Sequence, residues 1–290
     1  MTLELFDTHC HVHEIAVALT PVHDKWHADR VERSAGSVLD AARAAGVTRM
    51  IVIGTTLADS ELAMQFAQNH DGVWASIGIH PHEAKNYTTP QKSNPGGLSS
   101  QASKVGILPE VLERFRQLAT AAKVVAVGEC GLDYYYGHSP KEDQEAVLRM
   151  QIELALQHDL PLSFHVRDAF DDFWPIFESY QGVRGVLHSF TDSQANMERA
   201  VAQGLYIGVN GIATFTRDEV QLVTYRTIPQ HRLLLETDAP FLTPKPFRGK
   251  VCEPKHVMQT AEYLAALRDE SVEHLAESTT ANALKLLKLT

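Results

Sequence analysis

The chain has 290 residues, 44% of them hydrophobic and 21% charged, which suits one large soluble domain or two modest ones. Its formal net charge of −10 excludes broad electrostatic attachment to nucleic acid, so any phosphate chemistry must be local. No run approaches the roughly 18 consecutive apolar residues of a membrane span, and the first residues lack a basic start followed by an apolar stretch. A cytoplasmic protein without membrane contact is therefore expected, a nuclear or organellar location staying open. Cys10, Cys130 and Cys252 are an odd number without close spacing, so they read as small buried residues, with Cys10 facing away from the histidines beside it.

The first apolar run, LELFDTH at 3–9, leads into FDTHCHVH. Residues two apart on a strand share a face, so His9 and His11 aim both imidazoles at one spot, which is half a metal site. Runs of the same β-branched-rich type follow at 49–56 and 74–81. The segment 84–106, rich in Ser, Pro, Gly, Asn and Lys, then reads as a long loop, either a surface insertion or a lid.

A fourth run, VVAVGECGLD at 124–133, precedes S-P-x-E at Ser139, Pro140 and Glu142, a capping box with proline at the first helical position. Further runs lie at 160–167, 183–190, 205–212 and 233–240. A second box, T-x-x-Q at 191–194, opens a helix expected to stop at a left-handed Gly204. Two closing helices are expected over 254–268 and 271–287.

Eight apolar runs alternating with helical spacing predict a (β/α)8 TIM barrel spanning residues 1–290 as one domain, because each parallel crossover needs a helix and the sheet can close on itself. The alternative, a doubly wound open sheet, lacks a G-x-G-x-x-G after the first strand. Barrel enzymes assemble their chemistry at the carboxyl ends of the strands. There this chain offers His9, His11, Glu129, His165, His188 and Asp238. Imidazole and carboxylate together suit a pair of divalent ions (Mg, Mn or Zn), with Glu129 or Asp238 as the bridge.

The motifs DTHCH (7–11), GIHPH (78–82), VGECGLDYYY (127–136), FHVR (164–167), LHSF (187–190), GVNGI (208–212) and LLLETDAPFLTP (233–244) as a set resemble the TatD family of metal-dependent hydrolases. The resemblance runs from about residue 5 to 288 and implies a deoxyribonuclease of the amidohydrolase-like barrel group, a 3′-5′ exonuclease on single-stranded DNA ends. The six strand-end residues match the family's ligand positions. Cys252 stands where the family pattern commonly has asparagine before Glu-Pro, and the 84–106 segment is longer than the family implies.

On this reading Asp238 is both ligand and catalytic base, and Glu129 is catalytic as the bridge in the hydrolysis of a phosphodiester by metal-activated water. Arg167 and Arg248 are candidate phosphate clamps, since guanidinium binds phosphate oxygens in a bidentate way. His80 and His82 are candidates for substrate contact, with a supporting role behind the ligands as the alternative. Tyr134, Tyr135 and Tyr136 either stack on a base or pack under a loop. The other histidines, His13 and His138 among them, read as structural or solvent-facing. Two other functions share the same residues: a metal-dependent hydrolase of another ester or amide (an aminoacyl-tRNA ester, a lactone), or a metal-binding barrel without turnover. Nothing in the sequence calls for an obligatory protein partner.

Overall fold

The structure, a computed structural model, describes residues 3–18, 20–90 and 105–290. Its strands are β1 (Leu5–Cys10), β2 (Val47–Ile53), β3 (Val73–Ile77), β4 (Thr88–Pro90), β5 (Val105–Ile107), β6 (Val124–Asp133), β7 (Leu162–Arg167), β8 (Gly185–Leu187), β9 (Tyr206–Val209) and β10 (Leu233–Leu235). Eight of them form one sheet in the order β1-β2-β3-β6-β7-β8-β9-β10, and every pairing in it is parallel. A helix follows each of these strands before the next one pairs, as a parallel crossover requires. The two ends of the sheet meet where Asp238 N–H donates to His9 O (2.8 Å) and His11 N–H donates to Ala239 O (2.7 Å). The barrel predicted from the apolar runs is therefore the fold.

Alternation along the strands divides the core. Phe6, Ile51, Ile53, Val125, Ala126, Val186, Tyr206 and Leu234 fill the floor of the barrel with Ala283, Leu286 and Leu287 from the last helix, Val272–Leu287. A larger apolar layer joins the outer faces of the strands to the surrounding helices and takes in Cys10, whose thiol donates to Ile51 O rather than facing the histidines. With the floor sealed by hydrocarbon, polar side chains are left to the opposite, carboxyl-terminal rim.

Local signals at two helix starts resolve differently from the sequence expectation. Helix Lys141–His158 has Pro140 as its N-cap and no side-chain cap. The Ser139 hydroxyl donates instead to His82 O (2.7 Å) and accepts from Lys85 N–H (3.2 Å), because it ties down the GIHPH turn. Helix Gln194–Ala202 is capped by Ser193, which accepts from Asn196 N–H, and not by Thr191; Gly204 is left-handed at φ 85° as expected. The third crossover carries β4 and β5, paired antiparallel as a short ribbon that reaches from the 84–106 segment to Ile107. Residues 84–86 close the 3-10 helix Pro81–Asn86, and residues 91–104, with the lid expectation, lie outside the described residues.

Candidate metal centre

β1 delivers His9 and His11 to the rim. His11 Nδ1 lies 3.0 Å from Ile53 O, and a carbonyl can only accept, so Nδ1 carries a proton; Nε2 faces Asp238 Oδ1 at 3.5 Å and is the nitrogen that a metal would take once it is deprotonated. His9 Nε2 lies 3.4 Å from Glu129 Oε2 and 3.6 Å from Asp238 Oδ1. Asp7 fixes this end of β1: its carboxylate accepts from Thr237 N–H (2.9 Å) and Thr237 Oγ1–H (2.6 Å). The first histidines and Asp238 are thus held across the barrel's closing seam.

Glu129 occupies the middle of the site. The register of β6 against β7 is irregular between Val127 and Cys130, and the flanking Gly128 and Gly131 take φ values of 130° and 146°. Such values suit residues without a Cβ, and a Cβ on Gly131 would come within 1.9 Å of His165 O. The two glycines turn the Glu129 carboxylate inward, where Oε1 meets His165 Nδ1 (2.8 Å), His80 Nε2 (3.4 Å) and His188 Nε2 (3.5 Å).

Behind these lie two carboxylates. Asp133 Oδ2 accepts from His165 Nε2 and His82 Nε2, both at 3.0 Å, and Glu236 Oε1 lies 3.0 Å from His188 Nδ1. Glu236 Oε1 also accepts from Ser189 N–H (2.6 Å), which fixes the turn that presents His188. Carboxylates behind metal-ligating imidazoles orient the rings and raise their basicity.

Burial by itself would neutralise this cluster; the opposing charges reverse the effect for most members. Burial raises the Glu129 and Asp238 carboxyls, but the surrounding imidazoles hold both below the usual carboxylate range, Glu129 well below it. Burial lowers His11, yet its bond to Asp238 lifts it to about 9; burial likewise lowers His188, and Glu236 and Glu129 lift it to about 10. His9 goes the other way, lowered by burial and by His188, whose ring stacks on it at 3.6 Å. Burial, despite the attraction of Glu129, takes His80 down to about 4.

Two features show that a cation fits. His9 Nε2 is buried and has no hydrogen-bond partner among the described residues. Ligand atoms of His9, His11 and Glu129 also lie within 4.8 Å of one another, and the other Glu129 oxygen, Oε1, lies 2.8 Å from His165 Nδ1 and 3.5 Å from His188 Nε2. His80 Nδ1 accepts from His82 N–H (3.2 Å), which leaves the proton on Nε2 and makes His80 a donor toward the site rather than a ligand.

All six strand-end residues are thus brought together, although β8 and β10 stop at Leu187 and Leu235, short of His188 and Asp238. Their last inward residues sit on turns at Ser189 (φ 50°) and Asp238 (φ 60°). His82 stands behind His165 through Asp133. Arg167 rests on the rings of Tyr135 and Tyr136, while Arg248 lies over Phe215 in a separate part of the rim. The tyrosines divide: Tyr134 packs against the core under Lys141, and the other two face solvent. His13 is a buried partner of Asp59 at 2.8 Å. Sequence reasoning missed Asp133 and Glu236. Period-two alternation from Glu129 and from Asp238 would have found both on the inward face.

A profile of the family described as "TatD related DNase" matches residues 6–288. The chain is 34% identical over 287 residues to the Bacillus subtilis "Uncharacterized metal-dependent hydrolase YabD", covering 98% of this chain and 99% of that protein. It is 33% identical to the Klebsiella pneumoniae "3′-5′ ssDNA/RNA exonuclease TatD", over 88% of this chain and 92% of the relative. The crystal structure of the TatD homologue YjjV from Escherichia coli superposes with a TM-score of 0.80 at 28% identity, covering all of both chains. With a barrel-rim cluster of imidazoles and carboxylates and similarity along almost its whole length, the chain belongs to the TatD-related DNase family.

Proposed function

We propose that this protein is a metal-dependent nuclease that uses two divalent ions (Mg, Mn or Zn) to remove nucleotides from the 3′ ends of single-stranded DNA in the cytoplasm. The observation that carries the reading is the buried Glu129 carboxylate, with Oε2 3.4 Å from His9 and Oε1 2.8 Å from His165 and 3.5 Å from His188. The Klebsiella relative, named as a 3′-5′ ssDNA/RNA exonuclease, suggests the bond. His9, His11 and Asp238 would hold one ion and His165 and His188 the other, with Glu129 between them. An ion there supplies positive charge that lowers the pKa of water and offsets charge on phosphate.

The chain's own groups supply the rest. Asp238 is held ionised beside His9 and His11, so it is the carboxylate assigned to orient the attacking water and receive its proton. As the water oxygen bonds to phosphorus, the P–O3′ bond breaks, and His80 Nε2–H is placed to donate a hydrogen bond to the departing 3′ oxygen, which takes its proton from solvent water. The product is a 5′-mononucleotide. His82 steadies His165 through Asp133, and the exposed guanidinium groups of Arg167 and Arg248 are assigned to phosphates of the incoming strand.

The test is to strip the protein with EDTA and restore Mg, Mn or Zn in separate reactions with a 5′-labelled single-stranded oligonucleotide. The reading expects stepwise shortening from the 3′ end in at least one of them and none in EDTA. Intact oligonucleotide in every metal would refute it.

A further inference from the structure

We infer that Tyr135, Tyr136 and Arg167 form a nucleobase platform at the lip of the metal centre, which takes the face of an unpaired base next to the phosphodiester being cut. The inference rests on the nuclease reading and adds what that reading lacks, a reason for choosing single strands.

Three observations meet here. Tyr135 and Tyr136 are 59% and 52% exposed, unusual for large rings beside a buried polar cluster. Their rings stand almost perpendicular, at 88° with centroids 4.8 Å apart. The Arg167 guanidinium lies 4.2 Å from the Tyr135 ring centre and 4.9 Å from that of Tyr136. Among the described residues Arg167 has no carboxylate partner, so its charge is available to a phosphate.

The platform is tied to the chemistry by one side chain. Asp133 Oδ1 accepts from the backbone N–H groups of Tyr135 and Tyr136, both at 3.0 Å. Its other oxygen, Oδ2, accepts from His165 and His82. One carboxylate therefore sets the ring positions relative to a ligand of the centre. His138 stacks on Tyr136 at 10° between planes, and the His82 ring meets it edge-on at 5.3 Å, which stiffens the platform on its inner side.

Aromatic faces and a nearby cation are what a single-stranded nucleotide binds, because every base has a π-face and every linkage an anionic phosphate. In a duplex those faces are covered by neighbouring bases, so the platform selects unpaired ends. The local charge also fits a molecule whose overall charge is −10.

Fluorescence anisotropy with the Mn-loaded full chain tests this, using a 5′-labelled oligothymidylate whose phosphorothioate linkages suppress turnover, and the same strand without bases at its last three positions. Tyr135→Ala/Tyr136→Ala should weaken binding of the base-bearing strand about tenfold, and Tyr135→Phe/Tyr136→Phe by less than twofold. On the abasic strand, parent and alanine variant should bind alike. Equal binding of the base-bearing strand by parent and alanine variant, equal weakening on both strands, or no binding by the parent would overturn the platform. Failure of the parent to release mononucleotides, with base-dependent binding intact, would refute the nuclease reading and leave the platform standing.

Discussion

At the scale of single residues the site depends on side chains that never touch a substrate. Asp133 bonds His165, His82 and the turn that carries Tyr135 and Tyr136, so one oxygen pair positions a proposed ligand and the rim together. Asp133→Asn keeps the size but loses the charge; it should lower kcat/KM on single-stranded DNA by about 10–100-fold, as steady-state kinetics would show, whereas an unchanged value would dismiss that role. The imidazoles make a second prediction. His11 and His188 have pKa values raised to about 9 and about 10, above the ordinary histidine value of 6.5, so in the metal-free protein their protonated forms add stability below 6.5 that is lost as pH rises through 9–10. Ligands must be deprotonated, so metal binding should release protons near pH 7.5, and affinity should climb with pH up to that range. Calorimetry in buffers of different ionisation enthalpy measures the release; none at pH 7.5 would contradict the assignment. The residues legible in the sequence were those with rare chemistry at strand ends, His9, His11, Glu129, His165, His188 and Asp238. Asp133 and Glu236 were passed over: alternation puts both on the inward face, but an acidic residue beside a stronger signal looks like ordinary polarity until its partner is seen.

At the scale of elements the barrel strands were readable because continuous apolar runs have few alternatives once helices separate them. Their ends were not. β8 and β10 stop after three residues each, and His188 and Asp238 sit on the turns beyond. The helix caps slipped for a similar reason. Ser139 has a better use in joining two loops than in capping its own helix, and that contact, with a residue more than fifty positions away, leaves no trace in local sequence. The irregular β6 is the element that the chemistry needs most, and glycine makes it possible. Gly131→Ala forces a Cβ to within 1.9 Å of a backbone oxygen at φ 146°, whereas Gly137→Ala meets nothing within 4 Å at φ 63°. Urea unfolding should show a loss of more than about 2 kcal/mol for the first and about 1 kcal/mol for the second. Equal losses would mean that close packing around Glu129 is not what the glycine serves.

At the scale of the whole molecule, charge and architecture divide the work. A surface carrying −10 cannot hold nucleic acid by general attraction, so few phosphates are neutralised when substrate binds. The logarithm of KM on single-stranded DNA should therefore depend weakly on the logarithm of salt concentration, with a slope of about 1–2. A slope near 6 would reveal a basic track that the rim arginines do not form. The closed barrel supplies the rest by sealing its floor with Leu286 and Leu287 and leaving the polar rim open. The polar rim was legible from the imidazoles and carboxylates at the carboxyl ends of the apolar runs; the apolar floor was not, because Leu286 and Leu287 reach it from a helix distant in sequence.

The claim on which all of this rests is that Glu129 sits between two cations. Counting Mn ions bound per chain by calorimetry, in the parent and in Glu129→Ala, tests it most directly. The account predicts two ions in the parent and loss of high-affinity binding at both positions in the variant. Two ions bound equally well without Glu129, or none in the parent at millimolar metal, would contradict it.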